Sequence, residues 1–334
     1  MPNDNEVADA LGEAILKVVE VFERTGEGLD FRRMHRIIVA TDFAGELAGL
    51  SAATASGNPI TPTDEEYAIA VAKVQLLPRA EDYEIVPVFG ANYVLALLTP
   101  EDAEDEVGGT GEASAFSRSD LFAMVVHGLH HELCHVHDYN KQIDAFGTLM
   151  LSHYYSGKDV YIRPLAEACW SEYIADFISS STADAASLGG MIENLGRAVV
   201  RTKLQFNSEI LAYRVRDINL QQLLGWFQRH GVFLVKSASY VLGYMDGLNV
   251  SLRELSAETS ERLSGSYFEP TWDAMHVALK EMRRRYPDDW QDPSIYDNLA
   301  AVLERYYAEM GLVLSTTGDG QTYVDVPLRP ETTP

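Results

Sequence analysis

Residues 127–138 of the chain read HGLHHELCHVHD, and the rest of the sequence is organised around this stretch. Six of the nine histidines fall between residues 127 and 153. The stretch contains the pattern H-E-x-x-H, formed by His131, Glu132 and His135. On a helix, positions i and i+4 share one face, so both imidazoles can reach one metal ion. Glu132 lies a quarter turn away, where it can take a proton from a water held by that ion without being a ligand.

The spacing of apolar residues predicts a long helix through this stretch. Ser117 or Ser119 can cap its N-terminus, and Asp120 suits the positive end of the helix dipole. From Leu121 to about Asn140 the sequence contains no proline. One broad apolar stripe is formed by Leu121, Phe122, Val125, Leu129, Leu133 and Val136. The two motif histidines share a different face, so the helix can bury one side and turn its histidines toward a cleft.

A catalytic zinc site needs a third protein ligand, and the segment after Pro164 offers two glutamates. Glu167 and Glu172 are five residues apart, which places them on nearly opposite faces of one helix. Glu172 shares its face with small side chains that would let this helix approach the first closely, so we predict Glu172 as the ligand. Asp176, one turn later, is placed to accept the second N–H of a ligand histidine. Asp138 is an alternative ligand, although helix geometry places it one turn too far along.

These motifs and their order resemble a known family. The pattern H-E-x-x-H at 131–135, followed by E-x-x-x-D at 172–176, is similar to the gluzincin branch of the zincin metallopeptidases. The second pattern also resembles that of the compact ImmA/IrrE-type metallopeptidases. The resemblance covers about residues 117–183 and concerns motif and order. The metzincin extension is absent, because its third histidine would fall at Lys141.

The resemblance implies a Zn²⁺ ion and the usual reaction of the family, which is hydrolysis of a peptide or protein substrate. The zinc ligands are then His131, His135 and Glu172. Glu132 is the general base, and Asp176 is hydrogen-bonded to a ligand histidine. The group that stabilises the transition state, often a His or Tyr in this family, is left open among His153, Tyr154, Tyr155, His230 and His276.

A second interpretation of the same residues is a non-catalytic zinc-binding regulatory or interaction protein on a zincin scaffold. A missing electrophile, or a cleft closed by the C-terminal helices, would favour it. His130, His137 and Cys134 share a third face of the helix. A second metal site there is conceivable, but histidines of the core or surface are the favoured explanation of that face.

The composition limits the partners. The formal net charge is −24, with 50 acidic against 26 basic residues, which argues against nucleic acid and against an anionic membrane surface. No run of about 18 apolar residues is present, so no spanning helix is expected. The N-terminus lacks the basic and apolar regions of a signal peptide. Two cysteines favour a reducing, cytoplasmic compartment. The oligomeric state has no signal in the sequence.

The first hundred residues predict a small mixed sheet with one or more helices. Apolar residues recur at helical spacing over 6–25, and residues 34–41 are typical of a strand. Residues 67–77 fit either a strand or a helix. The runs 83–88 and 93–98 predict a β-hairpin that turns at the Phe-Gly-Ala-Asn sequence between them.

The remainder predicts a mostly helical C-terminal part. Pro164 is expected at the first position of a helix that runs to about Ser180. Further helices are predicted at 187–204, 206–228, 232–247, 270–285 and 294–310, and a closing hairpin at 312–326. The predicted fold class is α+β: a small N-terminal mixed sheet, a zincin-type pair of metal-binding helices and a large helical part. We expect a metallopeptidase core over 1–183, with an acidic loop at 100–115, and a helical region over 184–334.

Overall fold

The protein is mostly helical, with a small mixed sheet. The computed structural model describes residues 4–24, 28–53, 64–65, 68–69, 71–79, 82–98, 118–147, 155–183 and 185–333. The α+β class is therefore confirmed at that level. The acidic segment 100–115 and most of the loop predicted at 51–65 lie outside the described residues.

Helices and strands are numbered in chain order. The helices are α1 Asp4–Arg24, α2 Phe43–Ala53, α3 Ala91–Val94, α4 Arg118–Phe146, α5 Asp159–Ser179, α6 Ala185–Arg214, α7 Leu220–Leu248, α8 Leu252–Leu255, α9 Ala257–Leu263, α10 Glu269–Arg285 and α11 Asp297–Met310. The strands are β1 Ile38–Ala40, β2 Asp64–Glu65, β3 Ala68–Ile69, β4 Ala72–Arg79, β5 Asp82–Gly90, β6 Val313–Thr316 and β7 Thr322–Asp325. Short 3₁₀ segments cover Leu95–Leu98, Ser180–Thr182, Pro293–Tyr296 and Pro330–Thr332.

The chain forms two compact units. Unit 1 comprises Met1–Lys141 and Ile178–Leu188, and unit 2 comprises Gln142–Phe177 and Gly189–Pro334. The unit boundaries therefore fall inside α4, near the end of α5 and near the start of α6. The expected division into a metallopeptidase core at 1–183 and a helical region at 184–334 is drawn from the motifs, and it stays a prediction.

Unit 1 is built on a three-stranded mixed sheet. Its strand order is β1-β5-β4, with β1 parallel and β4 antiparallel to β5. The central strand is buried on both faces, because Phe89 packs in a cluster with α1 and α4 while Val86 and Val88 pack in a cluster with α2. This explains the continuous apolar run in β5, since a strand covered on both sides loses the usual alternation.

The predicted hairpin between 83–88 and 93–98 is wrong. The antiparallel partner of β5 is β4, and residues 91–98 form α3 and a 3₁₀ segment. Ala and Leu dominate this run, and both residues favour helix. Val94 and Leu97 then reach the α1–α4 cluster from a helical backbone. The strand predicted at 34–41 is limited to the three residues of β1.

Helix α4 extends the predicted metal helix at both ends. Ser119 lies inside the helix and is therefore not its N-cap, and Ser117 lies outside the described residues. Gly128 lies inside α4, where its lack of a side chain leaves room for Tyr93. The Tyr93 hydroxyl donates a hydrogen bond of 2.9 Å to the Met124 carbonyl, and a Cβ at Gly128 would collide with that hydroxyl. The helix predicted at 6–25 is confirmed as α1.

Two boundaries in the helical part differ from the prediction. Helix α5 begins at Asp159, so Pro164 lies inside the helix instead of at its first position. The chain breaks between α6 and α7, where Arg216 has φ of 68° and Asn219 forms a capping box with Gln222. The predicted breaks at residues 205 and 229–231 are helical. The closing hairpin is confirmed as β6 and β7.

Within unit 2, helices α5 and α7 touch through their backbones at Gly243. A Cβ built at Gly243 would lie 2.5 Å from the Tyr173 carbonyl oxygen and 2.9 Å from the Asp176 Cβ. No side chain larger than hydrogen fits without separating the two helices. Close approach of this kind is a structural use of glycine in a helix, where it otherwise costs stability.

We expect Gly243→Ala to destabilise the protein by roughly 1–3 kcal/mol, because the added methyl overpacks the contact with α5. Gly225 is the matched control, since it lies in the same helix and nothing lies within 4 Å of a Cβ built there. Gly225→Ala should stabilise by up to about 1 kcal/mol through helix propensity alone. Urea denaturation of both variants measures the difference. Equal effects at the two positions would mean that α5 and α7 do not touch at Gly243.

Candidate metal centre

Two histidines of α4 bring one nitrogen each to a common point. His131 and His135 lie one helical turn apart, and their Nε2 atoms are separated by 3.0 Å. Their rings are nearly perpendicular, with centroids 4.6 Å apart and an interplanar angle of 88°. This arrangement follows from the i, i+4 spacing on an uninterrupted helix.

A carboxylate of α5 completes the group. His131, His135 and Glu172 each offer one ligand atom, these atoms all lie within 4.8 Å of one another, and the group could hold a metal ion. Over the described ranges, no other set of three His, Cys, Asp or Glu side chains comes together in this way. Glu167 instead accepts a hydrogen bond from the Tyr155 hydroxyl. Glu172, and not Glu167, therefore belongs to the group that could hold a metal ion, and its role as a ligand stays a prediction.

Glu132 and Asp176 are both buried, and each lies within four residues of a candidate ligand in the sequence. Glu132 follows His131 on α4, is 9% exposed and does not belong to the ligand group. Asp176 lies one turn after Glu172 on α5 and is fully buried. Their roles as general base and as hydrogen-bond acceptor for a ligand histidine stay predictions.

Glu172 also has a basic partner that the sequence did not reveal. The Lys236 Nζ lies 3.0 Å from Glu172 Oε1, and both residues belong to unit 2. Lys236 carries no motif, and the contact arises only because α7 packs on α5. Charge-assisted hydrogen bonds of this length are among the stronger polar contacts in proteins.

The histidines that precede the motif pair bind a threonine hydroxyl. His127 Nδ1 and His130 Nδ1 lie 3.0 and 2.9 Å from Thr182 Oγ1. The hydroxyl donates its own hydrogen to the Ser179 carbonyl, at 3.0 Å. It must therefore accept from both imidazoles, which fixes both as donors at Nδ1. His130 is further packed against the Phe22 ring, with centroids 4.0 Å apart.

The histidine that follows the motif also serves the fold of unit 1. His137 Nδ1 accepts a hydrogen bond of 2.9 Å from the Asp30 backbone N–H. Burial, with a smaller contribution from the Lys141 charge, lowers the pKa of His137 to about 4. Asn140 donates to the Asp30 carbonyl, at 2.9 Å. His137 is thus a neutral acceptor that fastens the segment before β1 to α4.

The predicted candidates for the transition-state stabiliser have other contacts where the structure describes them. Tyr155 donates to Glu167, His276 Nε2 lies 2.9 Å from Asp246 Oδ1, and His230 packs against the Trp226 ring. His153 and Tyr154 lie outside the described residues. These contacts assign none of the five to a substrate.

Asp246 is the centre of a separate polar cluster in unit 2. Tyr173 donates a hydrogen bond of 2.5 Å to Asp246 Oδ2, and Lys280 and Arg283 each lie 3.7 Å from its carboxylate. Burial alone raises the pKa of Asp246. The hydrogen bonds from His276 and Tyr173 and the nearby positive charges outweigh burial and lower this pKa to about 2. The cluster therefore links α5, α7 and α10 through an ionised carboxylate.

The two cysteines are not metal ligands in this arrangement. Cys134 and Cys169 are both buried, and neither belongs to the His-His-Glu group. Burial raises the pKa of the Cys169 thiol to about 12, so it stays protonated at neutral pH. A protonated thiol is a poor metal ligand and a poor nucleophile.

Comparison with known proteins adds no relative. The chain matches no protein-family model, and neither curated proteins nor solved structures give a significant match. The resemblance to the gluzincins is thus carried by the motif residues alone. In the parts of the chain that the structure describes, no helix has both the length and the apolar character needed to cross a membrane.

We expect Thr182→Val to destabilise the protein by at least about 2 kcal/mol, because the N–H groups of His127 and His130 lose their shared acceptor. Thr182→Ser retains the hydroxyl and should change the free energy of unfolding much less. Guanidinium denaturation of the metal-free proteins measures both. Equal stability of the Val and Ser variants would show that the hydroxyl does not hold these histidines.

Proposed function

We propose that the chain is a zinc-dependent hydrolase of the metallopeptidase class. The observation that carries this proposal is the convergence of His131, His135 and Glu172, whose ligand atoms lie within 4.8 Å of one another. Three protein ligands leave a fourth position for water or substrate, as in catalytic zinc sites. Buried Glu132, next to His131, supplies the acid–base group that a hydrolase needs.

The ligand set fits zinc in chemistry and spacing. Two nitrogens in a tetrahedral zinc site, each at about 2.0–2.1 Å from the ion, lie about 3.3 Å apart. The corresponding Nε2 atoms of His131 and His135 are 3.0 Å apart. Imidazole nitrogen and carboxylate oxygen are both usual zinc ligands, and two neutral imidazoles with one carboxylate leave the loaded site positively charged.

In the proposed mechanism, protons move through Glu132. The zinc ion would polarise the substrate carbonyl and lower the pKa of a coordinated water. Glu132 accepts a proton from the attacking water while the water oxygen bonds to the carbonyl carbon. The carbon–nitrogen bond then breaks, and Glu132 returns its proton to the leaving nitrogen. Asp176 holds one ligand imidazole in the correct tautomer by accepting its second N–H.

A peptide or protein substrate follows from the resemblance to the gluzincins. The net charge of −24 favours cationic substrates over nucleic acid. A cytoplasmic location, which the low cysteine content favours, belongs to the same proposal. The alternative of a zinc-binding regulatory protein shares the metal centre and differs only in lacking turnover.

The first test is metal content. We expect about one zinc per chain in protein supplied with zinc, a large loss of zinc in Glu172→Ala, and no loss in Glu167→Ala, because only Glu172 belongs to the ligand group. Elemental analysis after gel filtration measures all three proteins. Equal loss in the two variants would show that the ligand is misassigned, and a parent that binds iron in place of zinc would contradict the proposal.

The second test separates catalysis from metal binding. We expect Glu132→Gln to keep zinc and thermal stability, because Gln is nearly isosteric and Glu132 is not a ligand. Hydrolysis should fall at least about 100-fold, since Gln cannot accept the proton and general-base catalysis contributes about 10²–10⁴-fold. Turnover of a generic peptide library, compared with Glu167→Gln as control, measures the effect.

Loss of zinc in Glu132→Gln would make Glu132 a ligand or a structural group. Unchanged cleavage would remove it from the mechanism. A zinc-loaded parent with no detectable cleavage would favour the regulatory alternative.

A further inference from the structure

The Lys236 ammonium is held beside the candidate metal centre by the packing of unit 2. Its Nζ lies 3.0 Å from Glu172 Oε1. Cys169 and Ser239 share a hydrogen bond between the same two helices, and Gly243 brings their backbones into contact. Lys236 lies in the regular helix α7, so the packing of α7 on α5 fixes the position of its charge.

The Lys236 side chain is also open to solvent. It is 26% exposed, whereas the Glu172 side chain is 13% exposed. An ammonium has three N–H donors, so a lysine bound to one carboxylate can also donate to a second acceptor. With a zinc–oxygen bond of about 2.0–2.2 Å, a metal ion on Glu172 would lie within roughly 5–7 Å of Nζ. A small group bound to that ion could reach the ammonium.

A lysine in this position does not favour metal binding by itself. The ammonium and a divalent cation repel each other, and the ammonium also draws electron density from the carboxylate that coordinates the ion. When an anion binds in the metal-loaded site, the attraction between that anion and the Lys236 ammonium offsets this repulsion.

We propose that Lys236 and the metal ion together form an anion subsite, an inference that rests on the proposed function. The subsite takes a carboxylate, and during hydrolysis it takes the negative oxygen that develops on the substrate carbonyl. Lys236 donates an N–H to that oxygen while it keeps its bond to Glu172. This gives the proposed hydrolase a group that stabilises the negative oxygen, by the same physics as an oxyanion hole.

The test uses acetate as the probe and the cobalt-substituted full-length protein as the reporter. Acetate binding is followed through the visible spectrum of Co²⁺, and zinc affinity is measured separately by competition with a chelator. The variants are Lys236→Met and Lys236→Arg, with Lys236→Gln as a second neutral variant if Lys236→Met does not fold. Lys158→Met is the matched control, because it removes another ion pair of unit 2, that with Glu304 at 2.6 Å.

We expect Lys236→Met to bind zinc as tightly as the parent or more tightly. Its dissociation constant for acetate should rise about 10- to 100-fold, as for a lost hydrogen bond to a charged group. Peptide turnover should fall by about 10²–10³-fold, the usual effect of removing one oxyanion donor. Lys236→Arg should retain acetate binding within a few-fold, and Lys158→Met should match the parent in every measurement.

Each other outcome overturns the inference in a distinguishable way. A tenfold or greater loss of zinc affinity in Lys236→Met would make Lys236 a residue that positions Glu172. Unchanged acetate affinity in the neutral variants would show that the ammonium does not reach the anion, and the proposed hydrolase would stand without it. A parent that binds no zinc would overturn both proposals, and that result comes before any variant is made.

Discussion

The structure of unit 1 depends on satisfying the polar side chains that α4 buries. His127, His130, His137 and Asn140 are each no more than 9% exposed. A buried polar group without a partner costs on the order of 1–3 kcal/mol, so such a helix is stable only where the fold supplies its partners. The partners come from distant segments: the Asp30 backbone precedes β1, and the Thr182 hydroxyl follows α5. These bonds fix which way α4 is rotated.

That rotation decides where the motif histidines point. His127 and His130 are held by Thr182, and His137 by the Asp30 backbone. His131 and His135 lie between these anchors in sequence and on a neighbouring face of the helix, and their Nε2 atoms meet 3.0 Å apart. The histidines outside the motif therefore have structural roles, which explains why so many occur on one helix. Sequence inspection cannot separate the two kinds, because both lie at helical spacing.

Local pattern was sufficient for some elements and insufficient for others. The helices α1 and α4 and the closing hairpin follow from periodicity and turn residues over a short stretch. Helix geometry alone also separated Glu172, which belongs to the His-His-Glu group, from Glu167, which does not. Other features depend on contacts far apart in the chain. The pairing of β4 with β5, the Thr182 hydroxyl and Lys236 all belong to this second kind. The break after α6 was missed, and the break expected at 229–231 is helical instead. There the ring of Phe227 occupies the place that a Cβ at Gly231 would take.

Several basic residues of unit 2 lie close to α5 although the chain is strongly acidic. The chain has 26 basic and 50 acidic residues. Some of the basic residues of α7 and α10 contact residues of α5 or of each other's helices. Lys236 pairs with Glu172, and Arg283 lies 4.1 Å from the Phe177 ring centroid and 3.7 Å from Asp246. The negative charge of Asp246 and the positive charges of Lys280 and Arg283 offset one another, and these contacts stabilise the packing of α5, α7 and α10. Lys236 differs because its carboxylate partner belongs to the ligand group, where a bound cation would already neutralise it. In the proposed metal-loaded state the Lys236 ammonium would add further positive charge, and this is the basis of the anion subsite proposed for it.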